Sequence, residues 1–362
     1  MSVNKLKVAI VTGPTGGHFF PGLAIGEELE GKGNADVSFF VPRREYLIRW
    51  LEKKGFEYKA VPEVRITLKN ILSPFKFVRL FFRAVIFLSE GRFDGLVVTG
   101  SYTTVPFLLA ARLLNKKIFV HEQNFLPGKV TKLSVFIADR IALSFPHFAA
   151  LPKRKTAVTG FPIASDFKRK FSAEELLGEF GFSEENKTVL VLGGSQGASF
   201  INRLMAENME YLEGKNLQFI HLAGKEKEKL EGDYERRKVK AKVFDFYYDM
   251  AKLYNIADIA VCRAGGGTLA EISEWRIPAV VVPYPHAGAH QKHNAAYFAG
   301  RGGCSMLEQS EKSIKNFPAV FEKTLKDFEA IKRNLEKCSI SDSEGATAGQ
   351  ILGLLKNEKK HS

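Results

Sequence analysis

The sequence predicts an α/β protein of two halves, each opening as a βαβ unit of a parallel sheet. Two observations carry that class. A buried-type strand runs into a glycine-rich loop and then a helical stretch at Lys7 to Glu30, again from Thr188 through Ala198, and again from Ile259 through Gly267. Each is the opening of a βαβ unit, whose loop binds ligands outside the carboxyl end of its strand and at a helix N-terminus. The chain is also 362 residues long and 45% hydrophobic, which is long for one core and ample for two.

In chain order, Lys7 to Val11 reads as a buried strand, followed by Gly13-Pro14-Thr15-Gly16-Gly17-His18 and a helix from Pro21 to Glu30. The glycine spacing is not the G-x-G-x-x-G of a dinucleotide site. The next strand, Val37 to Val41, runs into Pro42-Arg43-Arg44, not the acidic residue that holds an NAD ribose, so an NADP oxidoreductase is the reading these arginines leave open and the missing fingerprint disfavours. His18 reads either as a plain helix-start residue or as a general base, the work to which imidazole is suited at neutral pH. Two further strands end in polar runs: Leu96 to Thr99 leads into Gly100-Ser101-Tyr102-Thr103-Thr104, and Ile118 to Val120 into His121-Glu122-Gln123-Asn124. In a parallel sheet all these ends open onto one crevice with His18.

Ile66 to Leu88 is crowded with Phe75, Phe77, Phe81, Phe82 and Phe87, and its cations include Lys69, Lys76, Arg79 and Arg83. At 100° per residue the cations fall on one narrow face. Basic residues interrupt every apolar run, so the ~20 clear residues of a spanning helix are absent. Two readings stand side by side: a core helix with snorkelling cations, or an interfacial helix on anionic lipid.

Gly160-Phe161-Pro162 and the charged stretch from Lys168 mark a linker, after which Thr188 to Leu192 leads into Gly193-Gly194-Ser195-Gln196-Gly197-Ala198, a small anion cradle. Phe219 to Leu222 and Lys242 to Phe244 supply further strands. Ile259 to Cys262 then leads through Gly265-Gly266-Gly267 into a helix opening at Thr268, and Ala279 to Val282 closes the βαβ unit. Glu271 has two readings. It completes a capping box with Thr268 as N-cap, or its carboxylate accepts hydrogen bonds from both hydroxyls of a ribose. His286, His290 and His293 have no acidic or cysteine neighbour, whereas Gln291 and Asn294 suit hydrogen bonds to sugar hydroxyls.

The net charge of +13 and pI near 9.4 point to an anionic partner. Cys262, Cys304 and Cys338 form neither a zinc pattern nor a disulfide framework, which fits a reducing compartment. No signal peptide is visible at the start of the chain.

Together, Thr15-Gly16-Gly17-His18 with Pro21-Gly22, His121-Glu122-Gln123-Asn124, Gly193 to Ala198, Cys262-Arg263 with Gly265, Glu271, and Gln291 with Asn294-Ala295 resemble the MurG family. These are the N-acetylglucosaminyltransferases of peptidoglycan synthesis that convert lipid I to lipid II. The resemblance implies a GT-B fold, two Rossmann-like domains with a cleft between them. It assigns residues 1–162 to an acceptor and membrane domain and 163–339 to a UDP-sugar donor domain, with a last helix at about 340–362 packing back on the first. It implies inverting transfer from UDP-N-acetylglucosamine to the muramyl 4-hydroxyl of lipid I, at the cytoplasmic face of the inner membrane as a peripheral protein.

By position, the resemblance gives Ser195, Glu271 and Gln291, with Thr268 beside them, to the donor's phosphate, ribose and sugar. It gives Thr15, Gly16, Gly17 and Asn124 to the sugar and acceptor side. His18 is the expected base, with Glu122 the other candidate. No metal, no cofactor and no nucleic acid is expected; the sequence has no Asp-x-Asp pair, and backbone amides with a helix dipole would bear the diphosphate charge. The chain departs from the family at Ala164, where an arginine that contacts the diphosphate is usual, and Lys168, Arg169 or Arg263 are the candidate substitutes. Tyr247 stands where an aliphatic residue near the uracil is usual. The alternatives are a UDP-sugar epimerase of the same fold and a basic lipid- or nucleic-acid-binding module.

Overall fold

The computed structural model describes residues 5–31, 35–64, 73–146, 151–193, 199–285, 290–342 and 344–359. The chain divides into two compact units, one of Met1–Ala164 with Asp342–Ser362 and one of Ser165–Ser341.

Unit 1 holds a seven-stranded sheet in the order β3-β2-β1-β4-β5-β6-β7. Its strands are β1 (Leu6–Val11), β2 (Ala35–Pro42), β3 (Glu57–Val61), β4 (Gly95–Val98), β5 (Lys117–Glu122), β6 (Arg140–Leu143) and β7 (Thr156–Val158). Every pairing is parallel, with Val8 opposite Val37 on one side and Gly95 on the other. Helices cover both faces, so the central strands are apolar on both sides; Val8, Ile10, Val11 and Val98 are fully buried. The chain winds outward from β1 to β3, then returns to β4 and winds the other way. This reversal leaves a crevice at the carboxyl ends of β1 and β4.

The Ser73–Glu90 helix of this unit is amphipathic. Leu80, Ala84 and Leu88 pack inward, while Phe75 (73%) and Phe82 (61%) stay exposed. Residues 65–72, where the sequence reading begins this segment, lie outside the described residues. The Ala346–Lys359 helix lies against the Gly16–Gly31 helix and β5. Its start is tied down where the Asp342 carboxylate accepts from the Ala346 and Thr347 amides and Thr347 Oγ1 donates to Thr159 Oγ1 at 2.8 Å.

Unit 2 repeats the plan with six strands in the order β10-β9-β8-β11-β12-β13. They are β8 (Lys187–Leu192), β9 (Leu217–Leu222), β10 (Ala241–Phe244), β11 (Ile259–Cys262), β12 (Ala279–Val281) and β13 (Ser305–Met306), all parallel. Val189, Val191, Phe219, Val261 and Val280 form the centre of its core. Here the winding reverses between β8 and β11, which leaves a crevice at the carboxyl ends of those two strands. Among the described residues, no helix is long and apolar enough to cross a membrane.

Candidate active site

In unit 1 the first βα loop is held from several sides. Tyr46 donates its hydroxyl hydrogen to the Pro14 carbonyl at 2.6 Å, and the Thr15 carbonyl accepts from the His18 and Phe19 amides. Thr15 and Gly17 are exposed, and space opens beside Gly17, where an added Cβ would touch nothing. Pro21, inside the Gly16–Gly31 helix, has no N–H, so the Gly17 carbonyl receives no helical hydrogen bond from it. Acceptor and donor groups of the backbone are thus both on offer at this helix start.

His18 is clamped at the reversal point. Its Nδ1 lies 2.7 Å from the Thr99 carbonyl oxygen at the end of β4, and Thr99 Oγ1 donates back to the His18 carbonyl at 2.6 Å. A carbonyl only accepts, so Nδ1 carries the hydrogen and the Nε2 lone pair is left to take a proton. Two glycines make the room. A Cβ on Gly13 would sit 2.9 Å from His18 Cδ2, and one on Gly100, where φ is +88°, would sit 3.1 Å from Cε1.

The polar run after β5 divides by role. Gln123 Nε2 donates to the same Thr99 carbonyl at 2.9 Å and reaches His121 Nδ1 at 3.2 Å. His121 Nε2 meets the Gly160 carbonyl at 3.1 Å, and burial pushes the ring's pKa down, keeping it neutral. Glu122 is buried, and its two oxygens accept four hydrogen bonds: from the Asn124 amide (2.9 Å), Asn124 Nδ2 (3.2 Å), the Gly128 amide (2.8 Å) and Thr131 Oγ1 (2.5 Å). Its lone pairs are spoken for, and the 123–131 loop is organised around it. Asn124 is part-buried, its side-chain amide turned onto Glu122.

In unit 2 the sequence places a helix start at Thr268. The helix instead begins at Gly266, behind Gly265 as N-cap with extended backbone and no side-chain cap bond. Gly266 and Gly267 accept helical geometry, so Thr268 falls inside the first turn and Glu271 lies beyond reach of the cap. The capping-box reading fails for that reason. Glu271 is half-buried, and its Oε2 accepts the Tyr254 hydroxyl hydrogen at 2.5 Å. Burial pushes its pKa up to about 7 against the opposing pull of that hydrogen bond.

Gln291 Oε1 accepts from the Ala264 amide (3.2 Å) and the Tyr284 amide (2.9 Å), which pins the loop after β11 and turns the amide nitrogen of Gln291 away from that loop. Asn294, fully buried, donates to the Ala264 carbonyl at 3.1 Å. Arg263 donates to the Val282 carbonyl at 3.1 Å and lies against the Phe200 and Tyr284 rings. Arg169 is paired with Asp249 at 2.5 Å, and Ala164 is buried. Ser195, with the rest of 194–198, lies outside the described residues, as do His286 and its neighbours. Among the described residues no three His, Cys, Asp or Glu side chains are grouped to hold a metal ion. Sequence reasoning missed the Thr99 carbonyl, a backbone group, and Tyr254, whose helical spacing marks only a core residue.

Residues 8–143 match the glycosyltransferase family 28 N-terminal domain and residues 188–348 match that family's C-terminal domain. The UDP-N-acetylglucosamine–N-acetylmuramyl-(pentapeptide) pyrophosphoryl-undecaprenol N-acetylglucosamine transferase of Protochlamydia amoebophila is 34% identical over 84% of each chain. Its counterpart in Aquifex aeolicus is 32% identical over 96% of this chain and 100% of its own. Among solved structures, Acinetobacter baumannii MurG superposes with a TM-score of 0.75 at 25% identity, covering 97% of this chain and 99% of that one. A UDP-GlcNAc 2-epimerase from Neisseria meningitidis, bound to UDP-GlcNAc, reaches 0.70 at 14% identity over 97% and 100% of the two chains, a likeness of fold alone.

Proposed function

The chain belongs to the MurG family of GT-B glycosyltransferases, and from that premise we propose that it transfers N-acetylglucosamine from UDP-N-acetylglucosamine to lipid I. The acceptor is the 4-hydroxyl of the muramyl sugar of undecaprenyl-pyrophosphoryl-MurNAc-pentapeptide, and the product is lipid II. One observation supports the chemistry above all: the His18 Nδ1 hydrogen is tied to the Thr99 carbonyl beyond β4, which leaves the Nε2 lone pair to accept a proton.

In a single in-line displacement, His18 Nε2 takes the proton of the acceptor hydroxyl. The hydroxyl oxygen bonds to the anomeric carbon, the bond from that carbon to the diphosphate oxygen breaks, and UDP leaves with inversion. His18 is preferred to Glu122 because Glu122 already accepts four hydrogen bonds. Thr15, Gly16, Gly17 and Asn124 form the acceptor side. Donor binding falls to unit 2: Glu271 to the ribose hydroxyls, Gln291 through its amide nitrogen to the sugar, Ser195 and Thr268 to the phosphate side. The amides at the start of the Gly266–Glu274 helix bear the leaving group's charge, with Arg263 as the cation of that loop. No metal and no organic cofactor takes part in this reading.

The acceptor is lipid-linked, and the Ser73–Glu90 helix has the make-up to meet an anionic membrane surface. Lys76 and Arg79 are exposed beside Phe75 and Phe82, and the neighbouring Val105–Leu113 helix exposes Leu113 at 66%. The protein then works peripherally at the cytoplasmic face of the membrane, and the basic charge serves lipid, not nucleic acid. The test is thermal: UDP-N-acetylglucosamine should raise the melting temperature more than UDP-glucose, UDP-galactose or NADPH. Equal shifts from all, or a shift from NADPH alone, would overturn the donor assignment.

A further inference from the structure

We propose that Tyr254 is a positioning residue for the donor ribose: its hydroxyl, fixed by ring stacking, holds the Glu271 carboxylate in the rotamer that accepts both ribose hydroxyls. The inference rests on the reading of Glu271 as the ribose ligand. Tyr254 lies in the Met250–Ile256 helix, seventeen residues before Glu271, and is 2% exposed. A buried phenol needs a partner for its hydrogen, and Glu271 Oε2 is that partner at 2.5 Å. The ring is fixed in turn. It stacks on Trp275, with centroids 6.2 Å apart and planes 29° apart, and the Trp275 indole donates to the Phe167 carbonyl at 2.9 Å. A rigid donor therefore meets one carboxylate oxygen from the side and leaves Oε1 and the second lone pair of Oε2 for a ligand.

The same bond matters for charge. A half-buried carboxylate pays in desolvation, and a hydrogen bond to its ionised form offsets part of that cost. Among the described residues, the ionisable groups that face Glu271 are the Tyr254 hydroxyl and, from β11, the Cys262 thiol. Burial pushes the thiol up to about 12, and Tyr254 is raised well above its ordinary value by the same cause, so both stay neutral around pH 7. At the far end of the Gly266–Glu274 helix, Arg276 is paired with Glu336 and Lys170 lies over the Trp275 ring. On the elements packed against that helix, Gln291 and Asn294 face the loop after β11, and Ser339 meets Ser273 at 3.3 Å; all three are uncharged. Tyr254 is thus the neighbour that steadies the ionised form.

The experiment compares the parent with Tyr254→Phe and Glu271→Gln, titrating UDP and 2′,3′-dideoxy-UDP and measuring KM and kcat for UDP-N-acetylglucosamine. Tyr254→Phe should weaken UDP binding and raise the donor KM roughly tenfold, the scale of one hydrogen bond to a charged group, with little change in kcat. Its affinity for 2′,3′-dideoxy-UDP should match the parent's, which also shows the site to be folded. Equal weakening toward both nucleotides would mean that Tyr254 only packs, and unchanged UDP binding would mean that it does nothing for the ribose; either overturns the proposal. Glu271→Gln should lose the preference for UDP over the dideoxy analogue. If it keeps that preference, the ribose assignment itself has failed and the proposal falls with it.

Discussion

His18 Nδ1 and the Thr99 carbonyl oxygen lie 2.7 Å apart, and this contact makes the imidazole a one-sided base. The Thr99 carbonyl is the first acceptor beyond β4, just before Gly100 turns the chain at φ +88°, so the tautomer is set where a buried strand ends. His18→Ala should lower kcat by ~10²–10⁴, the usual scale for a general base, with an unchanged melting temperature. Gly100→Ala tests the clamp. Its Cβ would press on the ring at 3.1 Å in a backbone region that disfavours alanine, so kcat and melting temperature should fall together. A His18→Ala enzyme with near-parental kcat would remove His18 from the chemistry.

Glu122 should behave as a structural anchor. Glu122→Gln turns one of its two acceptor oxygens into an amide that faces donors, which should cost ~1–3 kcal/mol of stability. The pH–rate profile of the surviving activity should keep the parent's shape. A variant of parental stability whose activity loses its dependence on pH would make Glu122 the base instead.

Much of this arrangement was legible in the residues. The strand–glycine–helix repeats locate both crevices because a buried strand, a tight loop and a helix N-terminus each leave a local signal. β3, β6, β7 and β13 were not read, being short, partly exposed or at the sheet margins, where the apolar run is broken. The start of the Glu271 helix was misjudged because glycine at the first helical positions carries no propensity signal, while Thr268 three residues before Glu271 mimics a capping box. Partners far apart in the chain were also hidden: Thr99 is eighty-one residues from His18, and only the sheet order brings them together.

Glu271 should set the pH dependence of donor binding and of stability in opposite senses. Its folded pKa is raised from 4.5 to about 7, so the folded state keeps a proton that the unfolded chain releases. Stability therefore falls as pH rises through that window, and the full cost is present above pH 7. Glu271→Gln should be more stable than the parent by ~1–3 kcal/mol at pH 8, with the gain vanishing near pH 4. In the parent, UDP binding should strengthen as pH rises through about 7, because only the ionised carboxylate accepts both ribose hydroxyls. Calorimetric titration with UDP from pH 5.5 to 8.5 checks it; flat affinity across that range would contradict the assignment.

The Ser73–Glu90 helix should carry membrane binding. Each exposed cation contributes about 1 kcal/mol near an anionic surface, within a Debye length, while Phe75 and Phe82 add apolar insertion that salt does not remove. A Lys76→Ala, Arg79→Ala, Arg83→Ala triple variant should lose most of its binding to anionic vesicles yet keep its turnover of a soluble lipid I analogue. Parent binding should weaken with salt without disappearing. Equal loss of turnover in solution would place the helix in the catalytic fold, not at the membrane.

Sugar transfer to a lipid-linked acceptor is what separates this chain from a UDP-GlcNAc 2-epimerase of the same fold. The most direct measurement follows UDP-N-acetylglucosamine labelled in its sugar, incubated with the protein in the presence and absence of a lipid I analogue. UDP should appear only with the acceptor, in step with label joined to the muramyl 4-hydroxyl through a β bond. Conversion of the donor to its 2-epimer without acceptor, with no label on the lipid I analogue, would contradict it.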